Sequence, residues 1–200
     1  MKHRKRLFVS KKTSVKERDK TIRLALENEC NTLVFSLDDP YFKNPNRKLK
    51  YINLIKRYSL DIEAGGSDLS LLLPKNHFRL DHELFRMEYG KRKKDHHFCA
   101  TNPKTTAIIA QRAYNLFGAI LHIVSEPRIF HILPDKGFEN AWCACPACRA
   151  FSPAEQYLIA ANTAADALAK LNSKAQLMYL SFNANSEAKG ILPRANMKAC

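Results

Sequence analysis

The chain has 200 residues, 33 Lys and Arg against 19 Asp and Glu, a formal charge of +14, and 46% apolar and 26% charged residues. This balance excludes a disordered chain and suffices for one domain with a buried core. No run of ~18 apolar residues is present, which excludes a membrane-spanning helix. After the basic start only Leu7, Phe8 and Val9 are apolar, short of the ~7–15 residues of a secretory leader, so a cytoplasmic protein with reduced cysteines is expected.

Charge is concentrated. Residues 1–23 hold ten Lys or Arg against Glu17 and Asp19, +8 of the +14, and Lys91-Arg92-Lys93-Lys94 form a second cluster. Solvated helix faces and loop tips account for both more readily than a nucleic-acid groove, because no RNA-binding aromatic signature accompanies them.

In chain order, residues 6–10 read as a short strand, and Ser14 with Glu17 forms a capping box for a helix reaching Asn28. Residues 32–37 are a compact apolar strand ended by Asp38-Asp39-Pro40, and Asn44-Pro45-Asn46 starts a helix with Tyr51, Ile52, Leu54, Ile55 and Tyr58 at helical spacing. A third strand, 60–64, stops at Gly65-Gly66. Residues 67–94 read as a loop excursion with a small hairpin at 77–85 and a basic turn around Gly90. Asn102-Pro103 opens a helix to Leu121, 128–133 is a fourth strand, and Ser152-Pro153-Ala154-Glu155 opens the last helix with a capping box and a first-turn proline. Residues 176–182 are a fifth strand, and 186–200 read as an irregular tail.

Such alternation predicts an α/β fold with a parallel sheet. The expected architecture over 1–185 is a TIM-barrel-like (β/α) domain, an incomplete barrel of about five parallel strands with outer helices, since a complete one needs eight.

The sharpest chemical signal is the C-x-C-x-x-C loop of Cys143, Cys145 and Cys148. Three thiols so close can converge on one cation, and zinc wants four Cys or His ligands in a tetrahedron. Cys99, just before the Asn102 helix, is the natural fourth, with His96 and His97 as substitutes; three reduced thiols filling a tight turn is the alternative. Cys30 and Cys200 read as unrelated to this group. The second signal is positional. Ligands of parallel sheets bind at C-terminal strand ends, where this chain places Asp38, Asp39, Glu63, Asp135 and Glu139. Glycosidases work with two carboxylates. Asp135 is the leading catalytic candidate because it follows a buried strand, and Glu63 the second because Gly65 and Gly66 leave room beside it. His97, His131, Asp39, Glu139 and Trp142 are candidates for holding a sugar, the indole by stacking. Each has a plainer reading as a core histidine, a turn-capping carboxylate or a cover for the cysteine loop. No Gly-rich phosphate loop, G-x-S-x-G elbow or H-E-x-x-H is present.

The stretches Asp95-His96-His97-Phe98-Cys99-Ala100-Thr101-Asn102-Pro103, Pro134-Asp135-Lys136-Gly137 and Trp142-Cys143-Ala144-Cys145-Pro146-Ala147-Cys148-Arg149-Ala150 together resemble the glycosidase-like TIM-barrel family known as domain of unknown function 4838. In that family a Cys-x-x-Asn-Pro element precedes a helix, and a strand ending in Asp leads to a Cys-x-Cys-x-x-Cys-(Arg/Lys) loop. Residues 61–70 are also similar, and the likeness spans 30–185, most specifically 95–150. It implies a (β/α) barrel related to sugar-cleaving enzymes, often bacterial, with carboxylates near Asp135 lining the sugar site; it names no reaction. Three expectations follow. The first is a glycoside-hydrolase-like domain with a carbohydrate ligand and a structural zinc. The second is a zinc-stabilised module binding sugar or nucleic acid without catalysis, and the third is an inactive barrel remnant.

Overall fold

The computed structural model describes residues 4–9, 15–40, 44–95, 97–122, 127–134, 142–181 and 190–199. β1 (Arg6–Val9), α1 (Val15–Glu27), β2 (Thr32–Phe35), α2 (Pro45–Arg57) and β3 (Asp61–Asp68) alternate. After a long connection carrying a hairpin, β4 (Met87–Glu88) and β5 (Lys91–Arg92), come α3 (Pro103–Leu121), β6 (Ile129–Leu133), α4 (Pro153–Leu171), β7 (Gln176–Tyr179) and β8 (Met197–Ala199). The main sheet has six strands in the order β1-β2-β3-β6-β7-β8, and every neighbouring pair is parallel.

Spatial order therefore follows chain order. Crossovers between parallel strands are right-handed, so a sheet that always advances in one direction puts all its helices on one face, as in a (β/α) barrel, and not on both. No pairing joins β1 to β8 among the described residues. The helix-side face is apolar in two clusters. Ile22 and Ala25 of α1 and Tyr51, Ile52 and Ile55 of α2 pack on Leu33, Phe35 and Ile62. Phe117 of α3 and the Ala-rich face of α4 pack on Phe130, Ile132 and Leu177. Strand alternation sends Thr32, Val34, Glu63 and His131 to the opposite, inner face, where they are also buried.

The helix starts follow their caps. Asn44 accepts from Arg47 N with Pro45 in the first turn, Asn102 accepts from Lys104 N ahead of Pro103, and Ser152 and Glu155 form both halves of a capping box. The Ser14 box lies outside the described residues. Lys48 of α2 is buried and its Nζ donates to the carbonyls of Ala119 (3.4 Å) and Ile120 at the end of α3. Unpaired helix-end carbonyls favour a cation there, although burial pushes the amine below its ordinary pKa.

Three expectations change. β3 does not stop at Gly65-Gly66 but runs to Asp68, with a register shift against β6 between Ala64 and Ser67. The glycines make a bulge. Their φ values are +138° and +69°, and a Cβ would lie 2.4 Å from the His131 carbonyl oxygen at position 65 and 2.6 Å from the Phe8 ring at 66, so only glycine lets these inner-face residues approach. The hairpin is not at 77–85, which forms two short 3-10 turns, Lys75–Arg79 and His82–Leu84; Asp81 caps the second through Glu83 N. The hairpin surrounds Gly90 instead. Finally, the expected irregular tail contributes β8, a three-residue edge strand too short to show periodicity.

Gly65→Ala is expected to destabilise the fold by about 3 kcal/mol through backbone strain and overlap. Gly118→Ala, in α3 with its new methyl in ordinary contact with Leu171, is expected to stabilise it by about 0.5–1 kcal/mol. Urea denaturation of both variants measures the contrast.

Candidate metal centre and strand-end site

The connection from β3 to α3 and the loop from β6 to α4 leave the same, C-terminal, edge of adjacent parallel strands. They meet in four cysteines. Cys99, Cys143, Cys145 and Cys148 are all buried, and their sulfurs lie within 4.8 Å of one another. Cys99 Sγ is 3.7 Å from both Cys145 Sγ and Cys148 Sγ. A tetrahedral ion with metal–sulfur bonds of ~2.3 Å needs sulfurs ~3.8 Å apart. The quartet thus has the spacing and chemistry to hold a metal ion.

Its surroundings suit thiolates. Met87 N donates to Cys143 Sγ (3.3 Å) and Cys148 N to Cys145 Sγ (3.4 Å). The Thr101 hydroxyl is 3.2 Å from Cys148 Sγ, and Arg92 Nη1 donates to Cys143 Sγ at 3.7 Å. Hydrogen bonds from Cys143 and Cys148 hold the Cys99 thiol well below its ordinary pKa. Its bonds with Cys148 and Cys99, then burial, push Cys143 up. One thiolate forms easily and the next is resisted, a balance that a bound cation reverses. Burial works against the charge of Arg92, but Glu83 and Cys99 keep it firmly protonated.

Gln156, on the first turn of α4, clamps the loop. Its Oε1 accepts from Cys143 N (3.0 Å), and its Nε2 donates to the carbonyls of Cys143, Cys148 and Phe151. Neither Gln156 nor Arg92 is signalled by spacing; a lone Gln among the alanines of a buried helix face is the one hint. His97 and Trp142, both expected to hold sugar, do come together, with ring centroids 5.7 Å apart beside Cys99 and Cys143. His97 is buried and Trp142 half-buried.

Glu63 and His131 also meet, but not at the strand end. Glu63 is the third residue of the eight in β3, so the expectation that it stands on the C-terminal rim is corrected: the strand continues beyond it through the glycine bulge. Its buried carboxylate accepts from Arg4 Nη1 (2.6 Å), Arg6 Nε (2.7 Å) and His131 Nε2 (2.6 Å). Asp39 is likewise buried, with both oxygens within 2.9 Å of Arg18 Nη2, and Arg18 lies over the Tyr51 ring. Its carboxylate ties α1 to the loop after β2, at the C-terminal end of that strand. Arg4, Arg6 and Arg18 of the basic N-terminal segment are thereby engaged internally. Asp135, Glu139 and His96 lie outside the described residues.

Burial alone would raise the pKa of Glu63, but hydrogen bonds from His131, Arg6 and Arg4 outweigh it and pull the value from 4.5 to about 2. A carboxylate depressed in the folded state stabilises fully above its unfolded pKa and loses that contribution as pH falls towards the folded one. Stability is expected to fall by about 3 kcal/mol from this group between roughly pH 5 and pH 2. Glu63→Gln should flatten that part of the profile while lowering stability at neutral pH, as urea titrations across the range would measure.

No family model matches the chain, and no curated protein sequence matches it. Among solved structures it is similar to the tandem GH20 catalytic modules of the pneumococcal exo-β-D-N-acetylglucosaminidase StrH. In one structure the identity is 11% and the TM-score 0.65, over 97% of this chain and 57% of that one. In a second, of StrH as a pneumococcal virulence factor, they are 10% and 0.63, over 98% and 57%. The chain thus spans a little over half the length of the structures it matches. At this identity the likeness is one of fold: a parallel α/β sheet built like that of TIM-barrel glycoside hydrolases.

Proposed function

We propose that this chain forms an incomplete glycoside-hydrolase-like (β/α) barrel whose C-terminal strand ends bind or cleave a glycan, and that Cys99, Cys143, Cys145 and Cys148 hold a structural zinc. The observation that carries this reading is the convergence of two strand-end loops on four buried sulfurs, at the edge where such barrels place their chemistry. Bound zinc supplies a covalent cross-link between loops and no reactive water, because four thiolates fill its tetrahedron. The two elements that carry the likeness to domain of unknown function 4838, Cys99-x-x-Asn102-Pro103 and the Cys143 loop, are those that meet, which supports the family reading.

Within it, Asp135 is the leading acid or base: it follows β6 by two residues in sequence, and Glu139 lies near enough in the chain to be its partner. Glu63 is assigned to holding the inner face, since its oxygens are already engaged by Arg4, Arg6 and His131. His97 and Trp142 form an aromatic wall beside the metal centre, where the indole is a candidate sugar-stacking surface. A nucleic-acid-binding module draws less support, because Arg4 and Arg6 pair with Glu63 and Arg18 with Asp39.

Elemental analysis of the purified, reduced protein is expected to find about one zinc per chain, lost in Cys145→Ser together with much of the thermal stability. A folded, metal-free protein with unchanged stability would return the cysteines to packing. On a panel of aryl glycosides and oligosaccharides, Asp135→Asn is expected to lower kcat/KM by about 100-fold or more with zinc content and Tm unchanged. Hydrolysis that survives the substitution would remove Asp135 from the mechanism.

A further inference from the structure

The connection from β3 to α3 carries a hairpin that the chemistry above leaves unused. Met87 pairs with Arg92 and Glu88 with Lys91, so Tyr89 and Gly90 alone make the turn. Their φ values are +49° and +75°, the type I′ geometry that Asn-Gly or Gly-Gly adopts with least strain. A tyrosine at the first position strains the backbone, and the fold gains no packing from its ring, which is 94% exposed. Strain kept without a packing return points to a side chain retained for use.

The base of this hairpin is held firmly. Met87 N donates to Cys143 Sγ and Ala144 N to the Met87 carbonyl, so the hairpin is hydrogen-bonded to the metal loop. Arg86 pairs with Asp95 and Glu88, Lys93 with Glu88, and Arg92 with Glu83. The acidic groups are thereby matched at the base, while Lys91 and Lys94 are exposed. Residues 86–95 contain five cations and two anions, 5 − 2 = +3. Because the hairpin belongs to the connection leaving the C-terminal end of β3 and contacts the loop leaving β6, it stands on the edge that takes substrate in a (β/α) barrel.

We propose that this hairpin is a rim subsite for a negatively charged glycan, with the Tyr89 ring against a sugar face and Lys91 and Lys94 against its carboxylate or sulfate groups. The proposal rests on the glycan reading above and adds the class of substrate. Nucleic acid offers the same charge, but tracking a strand of bases uses a series of stacking aromatics along a groove, and this turn presents one ring.

Binding of the intact protein to polygalacturonate, dextran sulfate, neutral dextran and poly-U RNA tests it, measured at low and at physiological salt. The expected result is binding to an anionic glycan that is weakened about tenfold by Tyr89→Asn and by Lys91→Glu with Lys94→Glu. Preference for polygalacturonate assigns carboxylates, and preference for dextran sulfate assigns sulfates. Asparagine suits the left-handed turn, so Tyr89→Asn should melt no lower than the parent, which separates lost binding from lost folding. Anionic binding unchanged in both variants overturns the proposal, as does tighter binding of poly-U RNA that the same variants abolish. Binding or cleavage of neutral glycans without preference for charged ones removes the hairpin's role and leaves the glycan reading standing. Failure to bind any glycan overturns both.

Discussion

A parallel sheet that advances in one direction has all its helices on one side, and its other face must be filled from the strands themselves. Here the filling centres on one carboxylate. Glu63 of β3 collects Arg4 from just ahead of β1, Arg6 from its first position and His131 from β6, so a single buried anion joins three strands across the inner face. Glu63 is itself shielded from water while Arg4 and Arg6 reach partly into it, so the carboxylate depends on its partners more than the arginines depend on it. The glycine bulge serves the same packing: without Cβ atoms at 65 and 66, β3 can lie against His131 and Phe8. Charge pairing and backbone shape thus act side by side, at the point where the register of β3 against β6 shifts.

That arrangement separates support from chemistry along the strand axis. Glu63 lies in the first half of β3, while the long connections leave from the other end. The sheet is held by groups that are fully occupied, and the edge that carries the cysteines, His97, Trp142 and the basic hairpin is left to loops. Lys48 bracing the end of α3 and the Tyr157 hydroxyl joining the Ile132 carbonyl to Leu180 N extend the same pattern on the helix side.

Much of this could be read from the sequence because it is local. Asn44, Asn102 and Ser152 cap the helices they precede, since an N-cap acts on amides two or three residues away. The C-x-C-x-x-C spacing forces three sulfurs together, and Cys99 is placed by the helix that follows it. What could not be read depends on distance in the chain. Nothing near Glu63 announces Arg4 and Arg6, 57 or more residues earlier, so a buried structural anion looks like a free carboxylate beside two glycines. The partner of Asp39 is hidden for the same reason, Arg18 lying 21 residues earlier. The glycines themselves are ambiguous, because a stop and a bulge both demand freedom at φ. β8 is invisible because three residues carry no period, and only the exposed edge of β7 gives them a place.

A metal ion held by the four cysteines would answer a problem set by the length of the β3–α3 connection. The described residues of 69–102 form short 3-10 turns and a two-residue-strand hairpin, and fixing each backbone residue costs about 1–2 kcal/mol. Leu72, Leu84, Phe85 and Phe98 bury apolar surface against the core, but a segment so poor in regular hydrogen bonding needs a further anchor. An ion held by four thiolates would add about 10–16 kcal/mol, as structural zinc does in small domains, a part of that cost supplied where the loop meets its neighbour. Gln156 and Arg92 then transmit that order, one to α4 and the other to the hairpin base. A glycan site on this edge would inherit its rigidity from sulfur chemistry rather than from the sheet, so the metal and the sugar would be linked through the loops although no atom of one need touch the other.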